Sequence, residues 1–199
     1  AIFLIVCLPF YLLISMVIWR ETGRPIIYRN ERIGQLKKKF LIYKFRSMFQ
    51  NVSTGAQFGK SGEEALRLES ELIKNNSAKG GPIYKIQNDP RITKVGRFLR
   101  RWSLDELPQF WNVLRGEMSL VGPRPHQPRE VDQYIKRHSV LLAIRPGITG
   151  LAQISGRSNL TFEEEVQLDT FYVENWSLYL DFIILIKTPF VILRTKGAW

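Results

Sequence analysis

Residues Ala1 to Trp19 carry no charge, and Pro9 stands near their middle. Nineteen uncharged, mostly aliphatic residues fall in the range for a membrane helix. Proline removes a backbone donor and clashes with the preceding turn, so a helix through Pro9 is kinked or broken. In lipid the freed carbonyl needs another partner. Two topologies follow: a kinked helix that spans the bilayer, and a re-entrant helix that enters and leaves by one face. On these residues alone the span is the simpler reading, because kinked spans are well tolerated. The run is not a secretory signal, since no basic stretch leads it and no small-residue cleavage site precedes Arg20. It opens at Ala1 without Met, so the chain is read as part of a longer protein. Trp19 and Arg20 read as an interfacial anchor and a snorkelling cation.

From Arg20 to Arg46 there are nine Lys or Arg and two acids, which places this segment on the cytoplasmic face by the positive-inside rule. The whole chain has 29 Lys and Arg against 18 Asp and Glu. That surplus implies an anionic partner: nucleic acid, an anionic membrane surface or phosphorylated substrates. With 199 residues, 45% hydrophobic and 12% aromatic, the chain is an ordered domain with a modest core. Cys7 has no second cysteine to pair with and reads as a small apolar residue.

The pattern predicts a β-hairpin over Arg24 to Met48, turning at Gly34-Gln35. Ser61 and Glu64 form a capping box that opens a helix to about Asn75. Lys79 to Pro82 is a turn, and Asp89-Pro90 is a break. A short basic helix covers Thr93 to Trp102, and another helix runs from Leu104 to Arg115, ended by Gly116. Gly122-Pro123-Arg124-Pro125 is a rigid loop. Val131 to Ile144 reads as helix, broken at Arg145-Pro146-Gly147. Thr161 and Glu164 cap a helix to about Val173. Leu178 to Leu193 is strongly apolar but carries Asp181 and Lys187, which suits a helix at the interface or packed on the domain.

Ser103-Leu104-Asp105-Glu106 carries the most chemistry. Read structurally, Ser103 and Glu106 are a capping box, and two acids suit the first turn of a helix. Pro108 weighs against Ser103 as the cap; with Asp105 as cap, Pro108 falls where the donor is orphaned anyway. Both caps stay open. Read chemically, a carboxylate near unsatisfied backbone donors keeps a low pKa. The same helix end holds phosphate. Arg91, Lys94, Arg97, Arg100 and Arg101 just upstream add positive potential. An anionic carboxylate beside a cationic phosphate site can attack phosphorus and form an acyl-phosphate. The second carboxylate can hold a divalent cation or act as base. Arg124, Arg145 and Arg157, each beside Pro or Gly, offer forks matched to phosphate oxygens. As structural residues they are surface ion pairs, and Lys44 and Arg46 are exposed hairpin cations. His126 and His138 have no spacing that suggests a metal or triad.

Tyr43-Lys44-Phe45-Arg46-Ser47-Met48, Ser103 to Gln109, Asn112 to Gly116, Met118 to Pro125 and Arg145 to Gly150 occur in order. This series resembles the bacterial sugar transferases, the monotopic phosphoglycosyl transferases, from about Pro9 to Arg194. The resemblance implies a mostly helical α+β fold: a re-entrant membrane helix over residues 1–20, then a cytoplasmic catalytic domain over 21–199 with a β-hairpin and interfacial amphipathic helices. It thereby reverses the topology favoured above, although Leu8 stands where the family has a serine before the proline. It implies that Asp105 and Glu106 are a catalytic dyad. Asp105 attacks the β-phosphate of a UDP-sugar, UMP leaves, and polyprenyl phosphate takes the phosphosugar. Mg2+ is the implied cofactor, contacting Asp105. Lys44, Arg100, Arg124, Arg145 and Arg157 match substrate-binding positions, and Asp169 matches a pattern without an assigned role. The implied partners are the UDP-sugar, the polyprenyl phosphate and the bacterial inner membrane, with no nucleic acid; a homo-oligomer stays open. Gln50 to Gly80 is longer than in the smallest members and reads as a lid or partner surface.

Two other readings compete. A non-catalytic basic protein on anionic lipid or nucleic acid uses the charge surplus but leaves Asp105 and Glu106 unexplained, since acids weaken anion binding. A multi-spanning transferase needs more than the two long apolar segments seen here.

Overall fold

The computed structural model describes residues 8–54, 56–76, 86, 88–156 and 159–194. In chain order the elements are α1 (Leu8–Thr22), β1 (Ile27–Ile33), β2 (Lys39–Phe45), α2 (Gly59–Asn76), α3 (Lys94–Arg101) and α4 (Gln109–Leu114). Then come β3 (Ser119–Val121), α5 (Pro128–Val131), β4 (Gly147–Thr149), α6 (Leu151–Ser155), α7 (Phe162–Glu174) and α8 (Leu178–Arg194). Helices predominate, as expected. Strands form two small sheets, antiparallel β1-β2 and parallel β3-β4.

The hairpin pairs Ile27 with Phe45 and Ile33 with Lys39. Its turn lies later than Gly34-Gln35: Leu36 and Lys37 take left-handed φ of 54° and 62°. Ile33, Ile42 and Phe45 are buried; Ile42 and Phe45 stand three positions apart and point to opposite faces, so the hairpin is covered in part on both sides. Phe45 joins Ile18 of α1 and Leu99 of α3 in a cluster that also packs Tyr11, Ile14, Leu104 and Leu107. Thr93 caps α3 by accepting the Gly96 N–H at 2.8 Å. Gly96 is needed there, because a Cβ would stand 1.9 Å from the Ser47 carbonyl. That close approach brings α3 onto the end of the hairpin.

Three expectations change. The Leu104 to Arg115 helix divides into a 3-10 turn at Leu104–Glu106 and the six-residue α4, whose N-cap is Pro108. Proline has no N–H to continue an α-ladder. Bonds from Glu106 N to Ser103 O and Leu107 N to Leu104 O make the tighter turn instead. Val131 to Ile144 is not continuous either: α5 stops at Val131, and a 3-10 run covers Lys136–Leu142. Three residues per turn put His138 and Leu141 on one inward face, where both are buried. The helix expected from Ser61 begins at Gly59, with Ser61 in its first turn; the Ser61 side chain, like the Lys79 to Pro82 turn and Cys7, lies outside the described residues. The Thr161-Glu164 box forms as expected, with Thr161 N donating to Glu164 Oε2 at 2.7 Å.

The parallel pair was not foreseen. Ser119 aligns with Gly147 and Val121 with Thr149, where a Cβ on Gly147 would come within 2.1 Å of Gly122 N. Behind the pair, Val121 packs with Tyr172 of α7 and Ile184 of α8. Among the described residues no helix is long and apolar enough to cross a membrane. Helix α1 starts at Leu8 with Pro9 in its first turn, so the other arm of any break at Pro9 lies outside the described residues.

Candidate active site

The two acids sit on the turn between α3 and α4. Ser103 takes a left-handed conformation, φ 53°, and makes no side-chain cap. Leu104 and Leu107 on either side of the acids sink into the cluster around Phe45. Packing of these two leucines, rather than a cap, fixes the turn, and Asp105 is left 8% exposed. Neither proposed cap is therefore used. Asp105 also does not stand at the start of a long helix.

Cations converge on this turn from three elements. Lys44 of β2 holds Glu106, Nζ to Oε1, at 2.7 Å. Arg124 of the Gly122 to Pro125 loop approaches the same oxygen at 4.0 Å. Arg100 comes from the last turn of α3, its Nε donating to Ser47 Oγ at 2.8 Å. All five residues line one cavity of about 610 Å³. The structure thus brings together Lys44, Arg100, Asp105, Glu106 and Arg124. Arg145 stands apart, exposed and not in the cavity wall. Arg157 lies outside the described residues. Lys44 and Arg46 are not exposed hairpin cations: Lys44 is partly buried, and Arg46 is 2% exposed.

Burial pushes the Asp105 carboxyl above its ordinary range; Lys44 opposes the shift, Glu106 adds to it, and Arg100 and Arg124 oppose it. The low pKa expected from a helix N-terminus is not what this site provides, since burial dominates and no such helix start is present. Burial likewise lowers the pKa of Lys44, with Glu106 working against it. Among the described residues Asp105 accepts no side-chain hydrogen bond, whereas Glu106 is engaged by Lys44. A carboxylate so placed can meet a phosphorus atom or a cation directly.

The same observation tests the fit to Mg2+. Among the described residues no three His, Cys, Asp or Glu side chains cluster for a metal. Mg2+ does not need such a cage, because it is commonly held by one or two carboxylates together with substrate phosphates and water. Asp105 beside Glu106 in a cation-lined cavity with room for a diphosphate fits that pattern.

The cavity also carries acids that received no role. Glu165 and Asp169, one turn apart on α7, line the cavity with Gln153 of α6. Their i, i+4 spacing after the Thr161 cap was the available signal. Glu69 of α2 also lines it and holds Arg91 at 3.0 Å, while Arg91 forks onto Asp89 at 2.9 and 2.7 Å. His126 also lines the cavity; its Nδ1 meets the Tyr134 hydroxyl and its ring packs on Phe162.

The family model described as bacterial sugar transferase matches residues 1–195. The chain is 43% identical to the undecaprenyl-phosphate galactose phosphotransferase of Salmonella typhimurium, over 98% of this chain and 39% of that protein. It is 36% identical to the UDP-glucose:undecaprenyl-phosphate glucose-1-phosphate transferase of Klebsiella pneumoniae, over 100% of this chain and 39% of that protein. It is 40% identical to the exopolysaccharide production protein ExoY of Sinorhizobium fredii, over 98% of this chain and 82% of that protein. The chain therefore spans about two fifths of the first two relatives and most of the third.

Proposed function

The chain belongs to the bacterial sugar transferases, and we propose that it transfers a sugar-1-phosphate from a UDP-sugar to polyprenyl (undecaprenyl) phosphate through a phosphosugar carried on Asp105. The observation that carries this reading is the buried Asp105 beside Glu106, with Lys44 and Arg124 drawn onto Glu106 and Arg100 lining the same cavity. Relatives named for undecaprenyl-phosphate transfer of galactose and glucose phosphate support the donor and acceptor classes.

The chemistry is two displacements at one phosphorus. An Asp105 oxygen attacks the β-phosphorus, the bond to the bridging oxygen breaks, and UMP leaves. An oxygen of the lipid phosphate then attacks the same phosphorus, the acyl-phosphate bond breaks, and Asp105 is freed. A buried carboxylate with a raised pKa is more basic than an exposed one and so a stronger nucleophile. Arg100, Arg124 and Lys44 face the charge that builds on the phosphoryl oxygens. Lys44 also neutralises Glu106, so the second acid does not repel the diphosphate. Asp105 and the donor phosphates would together hold Mg2+, which would offset charge on the leaving UMP.

Helix α1 supports a membrane setting. Its outward residues Phe10, Leu12, Leu13, Met16 and Val17 are exposed and apolar. On this reading the N-terminal apolar run re-enters the cytoplasmic face of the inner membrane, and the rest of the chain carries the catalysis there.

The test is intact-protein mass spectrometry after mixing the chain with UDP-sugars and Mg2+, without lipid. One phosphosugar per chain and about one UMP are expected, and Asp105→Asn abolishes both. A donor that turns over once lipid is added, yet leaves no adduct and releases no UMP without lipid, would overturn the covalent course.

A further inference from the structure

Helix α1 does more than seat the chain on a membrane. The Tyr11 hydroxyl donates to the Leu107 carbonyl, across 96 positions of sequence. Leu107 is the second residue after Asp105 and closes the catalytic turn, its N–H bonding Leu104 O and its carbonyl taking the Phe110 N–H. The Tyr11 ring packs on Phe45, with centroids 5.4 Å apart, so the hydroxyl is aimed by packing. The other end of α1 is held as well. Arg46, 2% exposed, donates through Nη2 to Thr22 O at 3.0 Å, Thr22 Oγ1 at 2.6 Å and Gly23 O at 2.7 Å. Its neighbour Ser47 holds Arg100. Both ends of α1 are therefore bonded to the parts of the fold that carry Asp105 and Arg100.

We propose that Tyr11 is a positioning residue: through the Leu107 carbonyl it sets the Asp105-Glu106 turn against the place the apolar helix occupies. The turn needs such a tie, because Pro108 has no N–H to bond back into it. In apolar surroundings a tyrosine hydroxyl without a partner is costly, so the bond resists breaking there. Small displacements of a nucleophile weigh heavily on rate, so a tie worth one hydrogen bond is felt in turnover.

This inference rests on the transferase reading for its activity arm alone. Tyr11→Phe keeps the ring against Phe45 and removes only the donor. With the chain in bilayer discs, hydrogen exchange at the Leu107, Phe110 and Trp111 amides should quicken about fivefold, the scale of one net hydrogen bond. Exchange in β1 and β2 should not change. Turnover of the UDP-sugar should fall about fivefold with KM for the donor unchanged. Unchanged exchange across residues 104–111 would overturn the proposal, as would an unchanged kcat in a chain whose parent is active. A parent that releases no UMP from any UDP-sugar refutes the transferase reading, and the exchange arm then still decides the role of Tyr11.

Discussion

Asp169 shows how far a single residue departs from what its letter suggests. It is 3% exposed, takes the backbone N–H groups of Ala152 and Arg124, and leaves Oδ1 without a partner among the described residues. Burial pushes its carboxyl up to about 7, Glu165 adds repulsion, and the two N–H groups pull the other way. The unfolded value is about 3.9. Between those values the folded state binds the extra proton, so stability falls as pH rises through that window and levels off above it. One such group contributes a slope of at most about 1.4 kcal/mol per pH unit. Asp169→Asn cannot titrate, so melting curves at pH 5, 6 and 7 should show a flatter pH dependence than the parent. An equal slope in both would mean that Asp169 does not titrate there. Thr161 and Glu164 were readable because a capping box is satisfied by neighbours in sequence. The state of Asp105 was not readable, because its neighbours Leu104 and Leu107 settle on a cluster that draws Ile18 and Phe45 from far away in sequence.

Elements were legible where local chemistry decides them. The hairpin, the short basic helix from Thr93 and the Gly116 stop at φ 73° are each set by residues close by in sequence. Segments shaped by distant partners were misread. Three-residue β3 and β4 exist because Gly122 and Gly147 let two backbones meet, and neither strand has a period of its own. Helix α2 itself was legible, but its docking through Glu69 was not. Glu69 is 4% exposed and pairs with Arg91 at 3.0 Å and with Arg129. Breaking a buried pair costs about 3–5 kcal/mol when a charge is stranded. Arg91 keeps its fork to Asp89 and Arg129 is partly exposed, so Glu69→Gln should cost less, about 1–3 kcal/mol. The melting temperature should drop about 2–4 °C per kcal/mol lost, and residues 59–76 should become the first site of limited proteolysis. A variant cut no faster there than the parent would show that α2 is docked by something other than Glu69.

At the scale of the whole molecule the surface is more apolar than a chain of charge +11 suggests. On α8, Ile184 is buried and Leu180 packs on the same core as its inner face, while Leu178, Phe182, Ile186 and Phe190 are exposed at 76%, 60%, 48% and 58%. Those four recur every fourth residue, so they form one outward stripe. A helix apolar on both faces needs cover on the second. Asp181 does not break the stripe, because the Tyr172 hydroxyl at 2.6 Å and Trp176 Nε1 at 3.3 Å hold it at the helix start. On the proposed transferase reading the cover is the bilayer interface, with α8 lying in its plane. Single cysteines at 178, 182, 186 and 190 in a Cys7→Ser background, spin-labelled in bilayer discs, should be relaxed more by oxygen than by a polar nickel complex. Lys38→Cys at the hairpin tip supplies the water-exposed reference. Labels along the stripe that match the reference would place the face in water and leave a protein partner as its cover. A stripe that divides, with positions 178 and 182 dry and 190 wet, would instead tilt α8 and lift its C-terminal end off the lipid.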